Sequence, residues 1–368
     1  MLFMPILTHK FQAFTTKTSA LSRGFLVLGK IKTMRTSLKL FLGLIFAGGT
    51  ITAQSNINDL LAAGLNDANR FTEAYLSPVA EGVLFNLGGS WLNTAKAKPL
   101  GGFEISVVGA ISPLASKADK TAFELNIAEY ENLRFADGST SKQVSTALGD
   151  ISGIGVVIED ELGLISESFE LPTGIGSALN FIPSGYLQAS VGLIKGTEIK
   201  GRFLPQVNTD EIQVSLYGVG LMHDFTSHVP ANKLLPIAVS GFVGYTKLSG
   251  DYKFSSTGFI SGQNQRIALD MGTWSFLAAI STTLPIINFY GTLGYVSGES
   301  QLDLLGSYQV TTGPFQTTYN DPISVANKAS GVTASVGTKL KLGFFRLHAE
   351  YTKADFDLIT AGVHLGFR

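Results

Sequence analysis

The sequence predicts an all-β chain, a transmembrane antiparallel β-barrel of about 12 strands within a range of about 10 to 14, preceded by a short amphipathic helix that either packs on the periplasmic rim or enters the barrel as a plug. Three observations carry that expectation. The chain is apolar, with 45% hydrophobic and 15% charged residues among 368, yet only Leu38 to Ala53 approaches the about 18 apolar residues that a membrane-spanning helix needs. Elsewhere apolar residues are interleaved with Ser, Thr, Gly, Asn or a charge, the texture of strands with two unlike faces. Links between the strand segments also alternate largely between long and short, as they do in barrels with long outer loops and short periplasmic turns.

The amino terminus reads as an address. Lys30, Lys32, Arg35 and Lys39 precede the apolar core Leu40 to Ala47, and small residues follow as far as Ala53, which is signal-peptide order. Cleavage after Ala53 places Gln54 first in the mature chain. Counted from Met34 the signal has a normal length, so residues 1–33 read as an upstream extension. An apolar core of about 8 residues is too short to cross a bilayer as a helix. The chain therefore divides into 1–53, extension and cleaved signal; 54–101, helix and plug; and 102–368, barrel.

In the plug segment Ile57, Leu60, Leu61, Gly64, Leu65, Ala68, Phe71 and Tyr75 recur at three- and four-residue spacing, with Asn58, Asp59, Asn66, Asp67, Asn69, Arg70 and Glu73 on the other side. That is an amphipathic helix, expected to stop near Ser77-Pro78 because proline disfavours a helical residue before it. Trp91 and Asn93 follow in a Gly-rich stretch. Phe71, Tyr75, Trp91 and Asn93 are the plug candidates.

The strands are clearest at the carboxyl end, where Ile359, Ala361, Val363, Leu365 and Phe367 alternate with Thr360, Gly362, His364, Gly366 and Arg368. Phe345, Leu347, Ala349 and Tyr351 alternate in the same way with Arg346, His348, Glu350 and Thr352. Charges are costly in hydrocarbon, so the second set faces inward. Lys339 and Lys341 fall on the inward face of Val332 to Lys341. Phe103 to Ile111 shows a weaker contrast, and the alternation slips between Ile212 and Asp224, which suggests a bulge. A further strand is expected between Ile151 and Gly163. Ser112 to Tyr186 fits least well and reads as an outer loop or a fold into the lumen, while Gly250 to Gln263 and Asp303 to Ala326 read as long polar loops.

The 27 basic and 28 acidic residues are scattered without blocks, which disfavours a nucleic-acid partner. Cysteine is absent, and there is neither a Gly-x-Ser-x-Gly elbow nor a His-Glu-x-x-His pair, so no enzyme, cofactor or metal site is expected. The candidate lumen residues for charge or ligand contact are Arg346, His348, Glu350, His364, Lys339 and Lys341.

Glu73-Ala-Tyr-Leu-Ser-Pro78, Gly89-Ser-Trp-Leu-Asn-Thr-Ala-Lys96 and Gly192 to Pro205 resemble a family of unknown function from Bacteroidota outer membranes. In outline, a helix and an Asn-containing segment before a mid-sized barrel are similar to outer-membrane transporters of long-chain fatty acids and hydrocarbons, although Asn93-Thr-Ala95 replaces their Asn-Pro-Ala element. The resemblance implies a Gram-negative outer membrane and its lipid, and the apolar-alternating strand closing in Phe367 resembles the terminal signal read by the barrel-assembly machinery, although Arg368 follows the aromatic residue here. The expected function is a passive channel or transporter for a small hydrophobic or amphipathic ligand, gated by the plug. The alternative is a non-transporting structural or adhesion barrel that binds through its outer loops.

Overall fold

The computed structural model describes residues 59–114, 118–159, 166–176, 180–209, 212–229, 236–253, 262–312 and 315–367. The signal peptide and its cleavage point lie outside the described residues. Residues 59–62 are helical, and helix α1 (Leu65–Gly88) follows after a break at Gly64, whose φ of 98° interrupts the single helix expected through this segment. Strand β1 (Phe103–Pro113) follows, and then an excursion of short strands: β2 (Ala122–Asn126), β3 (Leu133–Phe135), β4 (Ser141–Ser145), β5 (Gly155–Glu159) and β6 (Ser166–Glu170). The remaining strands are β7 (Phe181–Gly192), β8 (Thr197–Asn208), β9 (Ile212–Asp224), β10 (Ile237–Lys253), β11 (Gly262–Thr282), β12 (Ile287–Thr312), β13 (Phe315–Asn320), β14 (Ile323–Leu342), β15 (Phe345–Lys353) and β16 (Leu358–Phe367).

Ten strands close the barrel, with β13 outside the ring, against the about 12 expected from even-numbered barrels. Neighbours in the ring are antiparallel, and β1 closes on β16 with Phe103 opposite Phe367. The strand expected between Ile151 and Gly163 exists as β5, but it pairs with β3 and β6 in a separate sheet. Asp303 to Ala326 is not a loop. There β12 runs on to Thr312, β13 folds back on it, and β14 has already begun at Ile323. Alternation in these regions buries Val156, Ile158, Leu304, Tyr308, Ile323 and Val325 in a dry cluster at the long-link end, so it serves a small hydrophobic core. Below, we call this cluster with β2 to β6 the cap.

The ring is inside-out relative to a soluble protein. Along β16 the buried residues are Leu358, Thr360, Gly362, His364 and Gly366, while Ile359, Val363, Leu365 and Phe367 are 42–50% exposed. Trp274, Phe276, Leu293, Val332 and Val336 continue that exposed apolar band across β11, β12 and β14. Strand β9 does not slip: its pairing with β10 is continuous, and Val214, Leu216, Gly220 and Met222 all point inward. Hydrophobicity changes sign there because inward residues can be apolar too: Met222 packs in the apolar cluster around Trp91 and Leu92. The irregularity lies opposite, in β8 between Leu204 and Val207, where Pro205 cannot donate to the ladder.

Helix α1 passes through Pro78 and ends at Gly88, beyond the stop expected at Ser77. Proline removes one helical N–H bond and turns nearby carbonyls outward. Here Ala147 N–H bonds the Tyr75 carbonyl at 2.9 Å, so the cap covers the backbone beside the proline. The second reason is burial, since every residue from Gly82 to Gly88 is enclosed. Near the start of the helix, the buried Asp67 carboxylate accepts from the backbone N–H groups of Glu131, Asn132 and Leu133 at 2.8, 2.8 and 3.2 Å, tying the cap to α1.

Candidate functional site in the plugged lumen

The first half of α1 lies in the cap. Phe71 is buried there and stacks on Tyr75, with ring centroids 5.7 Å apart, while the Tyr75 hydroxyl donates to the Thr173 carbonyl. These two plug candidates therefore hold the cap and not the lumen. The last two turns of the helix enter the barrel, and residues 89–102 continue as irregular chain to the short-turn end. Gly101 N–H and Gly192 N–H make backbone bonds there, to Gly192 and Gly102 respectively.

Wall side chains bond the plug at successive levels. Asn86 bridges Ser112 of β1 and Ser184 of β7 at 2.9 and 3.0 Å. Ser275 donates to the Gly88 carbonyl at 2.8 Å, and the Ser90 and Thr360 hydroxyls are 2.6 Å apart. Arg202 donates to the carbonyls of Leu87 and Gly89, at 3.0 and 3.2 Å. Its guanidinium lies between the rings of Trp91 and Tyr186, 3.5 and 4.2 Å from their centroids. Room for the indole comes from glycine: a Cβ on Gly220 or Gly244 would sit 3.3 or 3.0 Å from Trp91 while colliding with Phe242.

Nearer the short-turn end lies an ionic cluster. Glu104 of β1 accepts from Asn93, Lys339 and Arg346 at 2.9, 3.0 and 2.6 Å. Lys339 also donates to the Asn93 side-chain oxygen at 2.8 Å, so Asn93 is held from both sides. His348 and His364 share a 2.6 Å contact between ring nitrogens, and His364 reaches Ser106 at 2.6 Å. Beside them Lys98 of the plug donates to Glu198 at 2.9 Å, and Lys200 donates to the same carboxylate at 2.6 Å. Every charge in these pairs except the partly exposed Arg346 is buried, and each carboxylate is shared by several donors, which is what makes such burial tolerable.

Arg346, His348, His364 and Lys339 thus gather around Glu104. Glu350 does not join them; it sits at a higher level, 3.3 Å from Thr352 Oγ1. Lys341 lies toward the mouth, with a 3.5 Å bond to the Leu284 carbonyl. Sequence reasoning passed over Glu104, Lys98, Glu198, Lys200 and Arg202. A signal for three of them was present, because Glu198, Lys200 and Arg202 alternate on one face in the same way as Arg346, His348 and Glu350.

The cavity left beside the plug is lined by Phe85, Gly89, Trp91, Thr292, Thr333 and Glu350 among others, and it holds little more than water. Among the described residues no group of three or more His, Cys, Asp or Glu could hold a metal.

Solved structures similar to this chain include Ail, the attachment invasion locus protein of Yersinia pestis, at 12% identity and a TM-score of 0.21, covering 73% of this chain and 97% of that one. The outer-membrane protease OmpT of Escherichia coli is similar at 9% identity and a TM-score of 0.32, covering 75% and 99%. The toluene transporter TodX of Pseudomonas putida is similar at 8% identity and a TM-score of 0.23, covering 73% and 89%. No curated protein matches. The model of the family of unknown function DUF6588 matches residues 32–367, and the chain belongs to that family.

Proposed function

We propose that the protein is a non-transporting barrel of a Gram-negative outer membrane, a closed anchor that holds the cap at the outer surface as its binding part. One observation carries this reading: the chain from Gly82 to Gly102 occupies the lumen from end to end and is bonded to the wall at every level. The exposed apolar band supports the membrane setting, because a bilayer solvates such a surface and water does not. Barrels of this kind carry their short turns on the periplasmic side, and on that rule the cap lies outside. The reading includes no catalytic step.

A second reading is favoured by the polar lower seat of the plug. Ion pairs and hydroxyl bonds can exchange for water more readily than a packed core, and a plug held by them could act as the gate of a transporter for small hydrophobic or amphipathic solutes.

Liposome flux separates the two. Ser90→Cys with Thr360→Cys places two thiols where the native hydroxyls touch, in a chain that has no other cysteine. On the anchor reading, reduced and oxidised forms both conduct neither ions nor small solutes. Flux that the oxidised pair abolishes and a reductant restores would sink that reading and establish the gate.

A further inference from the structure

At the periplasmic mouth the charges do not balance. Lys98, Lys200, Lys339 and Arg346 share the two carboxylates of Glu104 and Glu198. Asp224, the remaining side-chain carboxylate there among the described residues, accepts from Ala97 N–H and Thr226. Two more cations stand beyond these. Lys341 sits directly opposite Arg346 on the neighbouring strand, an arrangement that like charges normally destabilise. Lys96 of the plug is exposed between Ala95, whose N–H bonds Ser281 Oγ, and Ala97, whose N–H bonds Asp224, while Lys341 reaches the Leu284 carbonyl three residues past Ser281. Neither Lys96 nor Lys341 has a carboxylate within ion-pair distance among the described residues.

The guanidinium has an unused donor. Arg346 gives one terminal nitrogen to Glu104, while its Nε is buried without a hydrogen-bond partner. A buried donor left unpaired is costly and calls for an acceptor. Strand alternation fixes where that acceptor must come from. Lys341 and Arg346 share the inward face with the buried Lys339 and His348, so lipid headgroups outside the ring do not reach them.

We propose that the periplasmic mouth binds a phosphate-type oxyanion from solution, held by Arg346, Lys341 and the plug residue Lys96. Arginine presents a planar fork that suits a tetrahedral oxyanion, and two lysines add charge without competing for that geometry. The bound anion bridges wall and plug. This inference does not depend on whether the plug moves.

The test is isothermal titration of the mature protein with inorganic phosphate, at constant ionic strength, in nanodiscs of neutral phosphatidylcholine. Saturable binding of about one phosphate per barrel is expected, weakened about tenfold by Lys341→Gln and severalfold by Lys96→Gln. Neither substitution touches the Glu104 pairs, so both variants keep the fold. No saturable binding, or unchanged affinity in both variants, overturns the site. A second arm uses nanodiscs containing phosphatidylglycerol: equal affinity is expected, whereas loss of phosphate binding there would assign the cations to lipid headgroups and overturn the soluble source.

Discussion

The guanidinium of Arg202 lies 3.5 Å from the ring centroid of Trp91, joining a wall strand to the plug by a cation–π contact in the middle of the lumen. The indole nitrogen makes no hydrogen bond, so stacking and fit hold this ring. Arg202 also satisfies the carbonyls of Leu87 and Gly89, where the helix ends and would otherwise leave acceptors bare.

Arg202→Ala removes the stack and strands two buried carbonyls at about 1–3 kcal/mol each. Thermal unfolding of the variant should begin at lower temperature, and planar-bilayer recordings should show ion leakage that the native protein lacks. A silent variant of native stability would mean that Arg202 does not hold the plug.

Glu104 joins three donors from β14, β15 and the plug, so Glu104→Gln leaves buried cations short of a counter-charge. Breaking such a pair from one side costs about 3–5 kcal/mol. Adding Lys339→Met removes one of the stranded cations and should recover part of that loss in chemical denaturation. If the two substitutions are simply additive, the Glu104–Lys339 contact contributes nothing.

How much of this was legible beforehand depended on what each face touches. Strand β16 could be read residue by residue because its outward face meets one medium and its inward face polar neighbours. The cap could not. Val156, Ile158, Leu304 and Ile323 alternate as barrel residues do, but they pack a small core, and period two does not record which medium lies beyond a face. The ionic site was half legible. Arg346 and His348 stand out as charges on a membrane strand, whereas Glu104 sits among apolar residues, and its three donors come from positions 11 to 242 residues away. Nor did Pro78 mark the end of α1, because a carbonyl exposed at proline can be satisfied by a distant loop.

The exposed face gives a third prediction. Val336 is 66% exposed in the apolar band, and an arginine on the lipid face of a barrel costs about 2–4 kcal/mol near the bilayer midplane. Val336→Arg should therefore lower the folding free energy measured from urea into lipid vesicles. The same substitution at Gln316, in the arm beyond the ring, should leave it unchanged.

Tyr130 offers a pH test confined to the cap. Burial pushes its phenol up to about 12, against about 10 in an unfolded chain. The fold therefore favours the neutral phenol. Its contribution is complete below about pH 10 and is lost as pH rises through about 12. The native cap should loosen across that window, followed by phenolate absorbance and limited proteolysis. Tyr130→Phe should reduce this alkaline sensitivity, the rest coming from Tyr75, whose phenol burial also pushes up to about 12 in the same cap, and an identical pH profile in the variant would count against the assignment.

The direction in which the plug threads the barrel leads to the last prediction. Asn66 lies in the part of α1 that packs in the cap, and Leu100 lies at the short-turn end, 67% exposed. If short turns face the periplasm, the helix start is outside the cell although its chain leads through the lumen to the inner rim. With no native cysteine to interfere, Asn66→Cys and Leu100→Cys can each be treated with a membrane-impermeant maleimide on intact cells. The Asn66→Cys protein should label at once, and the Leu100→Cys protein only after the outer membrane is opened. The reverse pattern would invert the barrel and move the cap to the periplasm. Labelling of both on intact cells would mean that the lumen is open, which the packing of Trp91 and Arg202 does not permit.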